Sequence, residues 1–207
     1  MKRIFIFFAL CVLLISCAQK PPKILLYIRD GSADLAYMLT SEFDVMKRTL
    51  EESGFNVDIA VETGNITIES YLVNTPILKA SDVIVSDYRG FILPCMAVGT
   101  NVPPEAVKMV EEAVIEGKPV AAQHSAVRIL ARSGALAGKR YTSYPEIDTN
   151  IWPDFKGAIY AGRGVVQDGN IITSGICPYM ARMDSIQDGT KELTQKLVEV
   201  VNAGTKY

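Results

Sequence analysis

The chain is most tightly constrained between Lys118 and Glu146, where a short apolar strand, a sharp turn and a helix follow one another directly. Pro119 to Ala122 reads as a buried strand and Gln123-His124-Ser125 as the turn. The segment beyond carries Val127, Leu130 and Ala131 at helical spacing, on one face. A strand-to-helix turn of this kind lifts one side chain above a sheet and aims backbone N–H groups at it. Several hydrolase folds present their nucleophile this way. Here the expected turn residue is Gln123, and a carboxamide cannot attack a carbonyl as a thiolate or an activated hydroxyl does.

The remaining pattern alternates between strands and helices. Ile24 to Ile28 is a continuous apolar run, as in a strand buried on both faces. A helix is predicted over Ser41 to Ser53, with Phe43, Met46 and Leu50 on its apolar stripe and Gly54 as its stop. Val57 to Val61 and Val83 to Ser86 read as further strands, and Ile66 to Val73 as a strand or an irregular connection. Pro103-Pro104-Glu105 opens a helix that Gly117 ends. Asp168-Gly169 between Val165-Val166 and Ile171-Ile172 is a tight-hairpin signal, and Thr190 caps a last helix closed by Gly204. This order predicts an α/β fold, a flavodoxin-like three-layer sandwich with a mostly parallel sheet and helices on both faces. Ligands of such sheets bind at the carboxyl ends of the strands. That gathers the turn at Gln123, the loop after Ile28 and the loop after Ser86 around one mouth.

The N-terminus reads as a targeting segment. Lys2 and Arg3 precede an apolar run from Ile4 to Ile15, too short to span a bilayer and of signal-peptide length. It ends in Leu14-Ile15-Ser16-Cys17, which resembles the lipobox of bacterial lipoproteins, whose cysteine is acylated and becomes the new N-terminus. The expected organisation is a signal peptide over 1–16, a lipidated tether over 17–22 and one domain over 23–207. The expected location is the bacterial cell envelope, anchored through Cys17 to the outer membrane and facing the periplasm. With 21 basic and 23 acidic residues and no basic run, nucleic acid is not an expected partner.

Cys11 falls in the apolar run and Cys17 at the lipid site, leaving Cys95 and Cys177 either to pair or to stay as free buried thiols. A single histidine excludes a His-rich metal site, and neither a metal nor a cofactor is expected.

Ala121-Ala122-Gln123-His124, followed by Leu130-Ala131, Gly134-Ala135-Leu136, Gly138-Lys139-Arg140 and Thr142-Ser143-Tyr144-Pro145, resembles the DJ-1/PfpI family of the class I glutamine amidotransferase-like superfamily. Val165 to Ser174 resembles the hairpin before that family's last helix. The resemblance implies a nucleophilic cysteine at the turn, a glutamate from the first helix bonded to it, and a Pro-Gly-Gly after the third strand that helps form an oxyanion pocket. By this alignment Gln123 takes the cysteine position, Glu42 the glutamate position, and Asp87-Tyr88-Arg89 the place of the lost glycines. Gln123, paired with Glu42, then forms a plug or a ligand contact, His124 is a candidate base, and Asp87, Tyr88 and Cys177 are candidate ligand-binding residues. Cys177, and less so Cys95, are candidates for a displaced nucleophile. The leading expectation is a lipid-anchored, non-catalytic protein with a degenerate site, either binding an unknown small molecule or acting as an accessory protein. A hydrolase or lyase using Glu42 and His124, or Cys177, is one alternative. A homodimer or higher oligomer that scaffolds partners at the membrane is another.

Overall fold

The computed structural model describes residues 21–29, 35–63 and 75–204. The expected signal peptide, the lipid site Cys17, most of the tether and the segment Ile66 to Val73 lie outside the described residues. No helix among the described residues is long and apolar enough to cross a membrane.

A seven-stranded sheet forms the frame. Lys23–Tyr27 (β1) pairs in parallel with Asn56–Val61 (β2) on one side and with Gly90–Leu93 (β4) on the other. Ile77–Lys79 (β3) extends the β2 side. On the other side follow Val120–Gln123 (β5), Ile171–Ser174 (β9) and Val165–Asp168 (β8), in the order β3-β2-β1-β4-β5-β9-β8. Only the β8–β9 hairpin is antiparallel, as its Asp-Gly signal required. Arg140–Tyr141 (β6) and Ile159–Tyr160 (β7) form a separate parallel pair.

The unbroken apolar runs are explained by two cores, one on each face. In β1, Leu25 and Tyr27 point to one face while Ile24 and Leu26 point to the other, the period-two alternation of a strand covered twice. Pro104–Ile115 (α3) and Val127–Arg132 (α4) cover the first face through Val110, Ala113 and Leu130. Asp44–Glu52 (α2) and Thr190–Gly204 (α6) cover the second through Met46, Leu50, Leu193 and Leu197. A short helix, Pro178–Asp184 (α5), precedes α6.

Three expectations shift. The helix expected from Ser41 begins at Leu35: a short turn, Leu35–Met38 (α1), leads into a π-helical turn, Leu39–Phe43, and then into α2. Val83 to Ser86 is not a strand. Val85–Asp87 coils into a 3-10 turn with Ile84 exposed, because Asp82, Ser86 and Asp87 break the apolar run. The strand that enters the sheet is the next one, β4, whose Gly90 admits α6. A Cβ at position 90 would lie 3.1 Å from a Val201 methyl. At the start of α6, Asp188 rather than Thr190 supplies the cap, accepting the Thr190 N–H at 2.9 Å.

Candidate functional site

β1 is flanked by β2 on one side and β4 on the other, so the chain reverses its direction of travel across the sheet between β1 and β4. The carboxyl ends of β1, β4 and β5 therefore open the expected crevice. Because β4 starts at Gly90, the loop that reaches this crevice is Pro94-Cys95-Met96 rather than Asp87-Tyr88-Arg89. Asp87 and Tyr88 precede β4 and sit at the opposite, amino edge. There the buried Tyr88 hydroxyl donates to Asp58 Oδ2 at 3.0 Å, and Lys118 Nζ donates to the Tyr88 carbonyl. Asp87 and Tyr88, expected to bind ligand at the crevice, therefore lie away from it.

Glu42 does reach the site. The π-helical turn widens the helix by one residue, a distortion common at functional sites, and carries Glu42 to complete burial. Its carboxylate accepts the backbone N–H of Cys95 at 2.7 Å and that of Met96 at 3.3 Å. Burial pushes this carboxyl well above the usual range, the nearby Cys95 thiol adds to the rise, and the two N–H donors oppose it.

Gln123 does not meet Glu42. It is the last extended residue of β5, with φ −113° and ψ 130°. Two residues beyond Ala121, it projects to the same face, toward α6. Its Nε2 donates to the Ile176 carbonyl at 2.8 Å and to Thr190 Oγ1 at 3.0 Å. Its Oε1 is buried without a hydrogen-bond partner among the described residues.

The strained position of the elbow falls one residue later, on His124, at φ +46°. Its Nε2 lies 3.0 Å from the Tyr144 carbonyl and its Nδ1 lies 3.3 Å from Cys95 Sγ and 3.1 Å from Ser125 Oγ. A carbonyl only accepts, so Nε2 carries the ring proton and Nδ1 presents a lone pair to the thiol. Burial draws the imidazole pKa down, but Cys95 and the Tyr144 carbonyl outweigh it and the net direction is up. The Cys95 thiol is pushed far up, first by its contact with Cys177 and then by burial, against the pull of His124.

Cys177, fully buried at the start of α5, completes a cluster. Cys95 Sγ, Cys177 Sγ and a ring nitrogen of His124 all lie within 4.8 Å of one another. Both cysteines are free thiols. The sequence separates these three residues by 29 and 53 positions, which hides the cluster although Cys95 and Cys177 are each candidate nucleophiles; the cue for Cys95 is that it follows Leu93-Pro94 at the end of a strand.

Two cavities meet at His124 and Ser125. One, of about 310 Å³, is also lined by Arg128, Tyr144, Ile147 and Trp152. The other, of about 220 Å³, is also lined by Arg29, Cys95, Met96 and Met180. In the first, the Arg128 guanidinium stacks on Trp152 at 3.9 Å from the ring centroid, and its Nε is buried without a hydrogen-bond partner among the described residues.

A doubly covered parallel sheet with a strained residue on the β5–α4 elbow and a buried glutamate facing the neighbouring loop defines a flavodoxin-like protein of the elbow type. The model of the DJ-1/PfpI family matches residues 22–183, and the chain belongs to that family. It is 34% identical over 129 residues to an uncharacterized protein of Archaeoglobus fulgidus, covering 60% of this chain and 75% of that one. It is 33% identical over 136 residues to a deglycase of Pyrococcus abyssi, covering 61% and 77% respectively. Among solved structures, a ThiJ/PfpI domain protein from Brachyspira murdochii superposes with a TM-score of 0.66 at 18% identity, over 89% of this chain and 99% of that one. DJ-1beta of Drosophila melanogaster superposes at 0.56 and 22% identity, over 89% and 97%. At these identities the two superpositions speak for the fold alone.

Proposed function

We propose that the chain is a lipid-anchored envelope protein whose DJ-1/PfpI pocket binds a small molecule without the family's thiol chemistry. The observation that carries this reading is the imidazole on the strained elbow. The residue that stands on the elbow is His124, its Nε2 already committed to the Tyr144 carbonyl. The neighbouring loop argues the same way, since the N–H groups of Cys95 and Met96 are spent on Glu42 and are not offered to an oxyanion. What remains suits binding. The 310 Å³ cavity is of ligand size, with Trp152 and Ile147 as apolar wall and Arg128 as a donor for an acidic or carbonyl-bearing group. Lipidation rests on Ile15-Ser16-Cys17 after the apolar run, and predicts that Cys17→Ala moves the protein from the membrane to the soluble fraction. A ligand screen by thermal shift tests the pocket. Hits that stabilise the wild type and lose that effect in Trp152→Ala and Arg128→Ala support it. Robust dicarbonyl or peptide turnover that vanishes in His124→Ala defeats it.

A second reading follows from the 3.3 Å approach of Cys95 Sγ to His124 Nδ1: a thiol enzyme whose nucleophile has moved from the elbow to the adjacent loop. The 33% identity to a deglycase is consistent with it. It requires rapid alkylation of Cys95 near neutral pH, whereas the raised thiol pKa implies slow alkylation.

A further inference from the structure

We propose that Cys95, Cys177 and His124 form a binding site for one zinc ion, with a fourth, exchangeable position facing the 220 Å³ cavity. The proposal goes beyond the small-molecule reading, since the thiols and the Trp152 pocket lie on opposite sides of the imidazole.

Three observations carry it. First, the donor atoms are already gathered. Tetrahedral zinc, with Zn–S about 2.3 Å and Zn–N about 2.0 Å, holds its ligand atoms about 3.5–3.8 Å apart. Here all three donors fall within 4.8 Å of one another, and one pair stands at 3.3 Å. Second, the histidine is set as a ligand. Its Nε2–H is tied to a backbone carbonyl, which fixes the tautomer and the ring plane and leaves the Nδ1 lone pair facing Cys95 Sγ and Ser125 Oγ. This outer bond is the usual support of a metal-bound imidazole. Third, the fourth direction is open, because Cys95 and His124 both line the cavity while Cys177 closes the site from beneath. Two thiolates, one imidazole and one open position match the donor set of catalytic rather than purely structural zinc.

Charge selects the ion. Binding exchanges two thiol protons, released to solvent, for one divalent cation, and two thiolates with Zn²⁺ sum to zero. A neutral site costs least to bury. Copper(I) with the same donors leaves one net negative charge beside the buried Glu42 carboxyl.

The test uses the full chain in detergent with a thiol-free reductant, titrated with Zn²⁺ against a chromophoric chelator. The expected result is one equivalent bound, with proton release visible as a buffer-dependent heat, and two sulfur neighbours at the metal by X-ray absorption. Cys95→Ser, Cys177→Ser and His124→Ala should each weaken binding by at least about 100-fold, the upper end of what losing even a supporting group costs. Trp152→Ala should leave it unchanged, and this separates a failure here from a failure of the small-molecule pocket. Binding unaltered by both cysteine substitutions, fewer than two sulfur neighbours in the loaded wild type, or copper(I) bound with zinc excluded each overturn the proposal. The sulfur count needs only wild-type protein, so it decides the matter even where a variant does not fold.

Discussion

The backbone N–H of Cys95 donates to the buried Glu42 carboxylate at 2.7 Å, so that a side chain from the π-helical turn holds the loop at the carboxyl end of β4. Glutamine at position 42 keeps the shape but gives up one acceptor, leaving the N–H of Met96 or Cys95 without a partner. Glu42→Gln is therefore expected to cost ~1–3 kcal/mol, the desolvation penalty of one buried donor. Urea unfolding measures it. A variant as stable as the wild type would show that this contact does not hold the loop.

The elbow geometry makes a sharp distinction between neighbours. In a background with Cys95 and Cys177 changed to serine, a cysteine introduced by His124→Cys stands on the strained turn beside both cavities. One introduced by Gln123→Cys lies buried against α6. The thiol at 124 is expected to react with iodoacetamide at least ~10-fold faster than the thiol at 123, as exposure and access require. Equal rates, or faster reaction at 123, would return the elbow to Gln123.

Tyr88 is expected to act on stability and not on binding in the pocket beside Trp152. Asp58 is buried and accepts from Tyr88 at 3.0 Å and from Lys23 Nζ at 2.8 Å. Tyr88→Phe leaves this carboxylate one donor short, with an expected loss of ~1–3 kcal/mol. Ligand-induced thermal shifts in the pocket beside Trp152 should be unaffected. A selective loss of those shifts with unchanged stability would restore Tyr88 to the ligand site.

Asp168 supplies an acid-side dependence. The backbone N–H of Arg140 at 2.9 Å, with Lys139 Nζ at 3.6 Å, holds its carboxyl below the usual 3.8. A folded-state value below the unfolded one means stability that is present above the unfolded value and is lost as pH falls through the folded one. Asp168→Asn removes the titration. Between about pH 6 and about pH 3 the wild type should lose more of its melting temperature than the variant does. Parallel curves would show that the contact contributes nothing.

Much of the frame was legible because burial on both faces writes itself as unbroken apolar runs. Ile24 to Ile28, Val57 to Val61 and Pro119 to Ala122 each fell on a strand for that reason. The reading slipped where two apolar runs stood close together. Val83 to Ser86 looked like a strand, but the run from Gly90 to Leu93 entered the sheet, and the choice was settled by α6 packing over Gly90, a contact distant in sequence. That slip moved the crevice loop away from Cys95. Counting back from Gly54 puts Glu42 at the start of the helix, and it sits in the π-helical turn, buried against the loop after β4, a register that α-helical spacing alone does not give. The direction of Gln123 follows from the alternation of β5, whereas the positive φ of His124 does not, since no composition rule places strain on a histidine.

His124 stands as a party wall between two chambers, with Ser125 at its side. A change at this one ring alters both rooms at once, so a phenotype of His124→Ala points to one chamber only when read beside variants confined to that chamber. Only residues owned by a single room, Arg128 and Trp152 on one side and Cys95 and Met180 on the other, report separately on what each was built to hold.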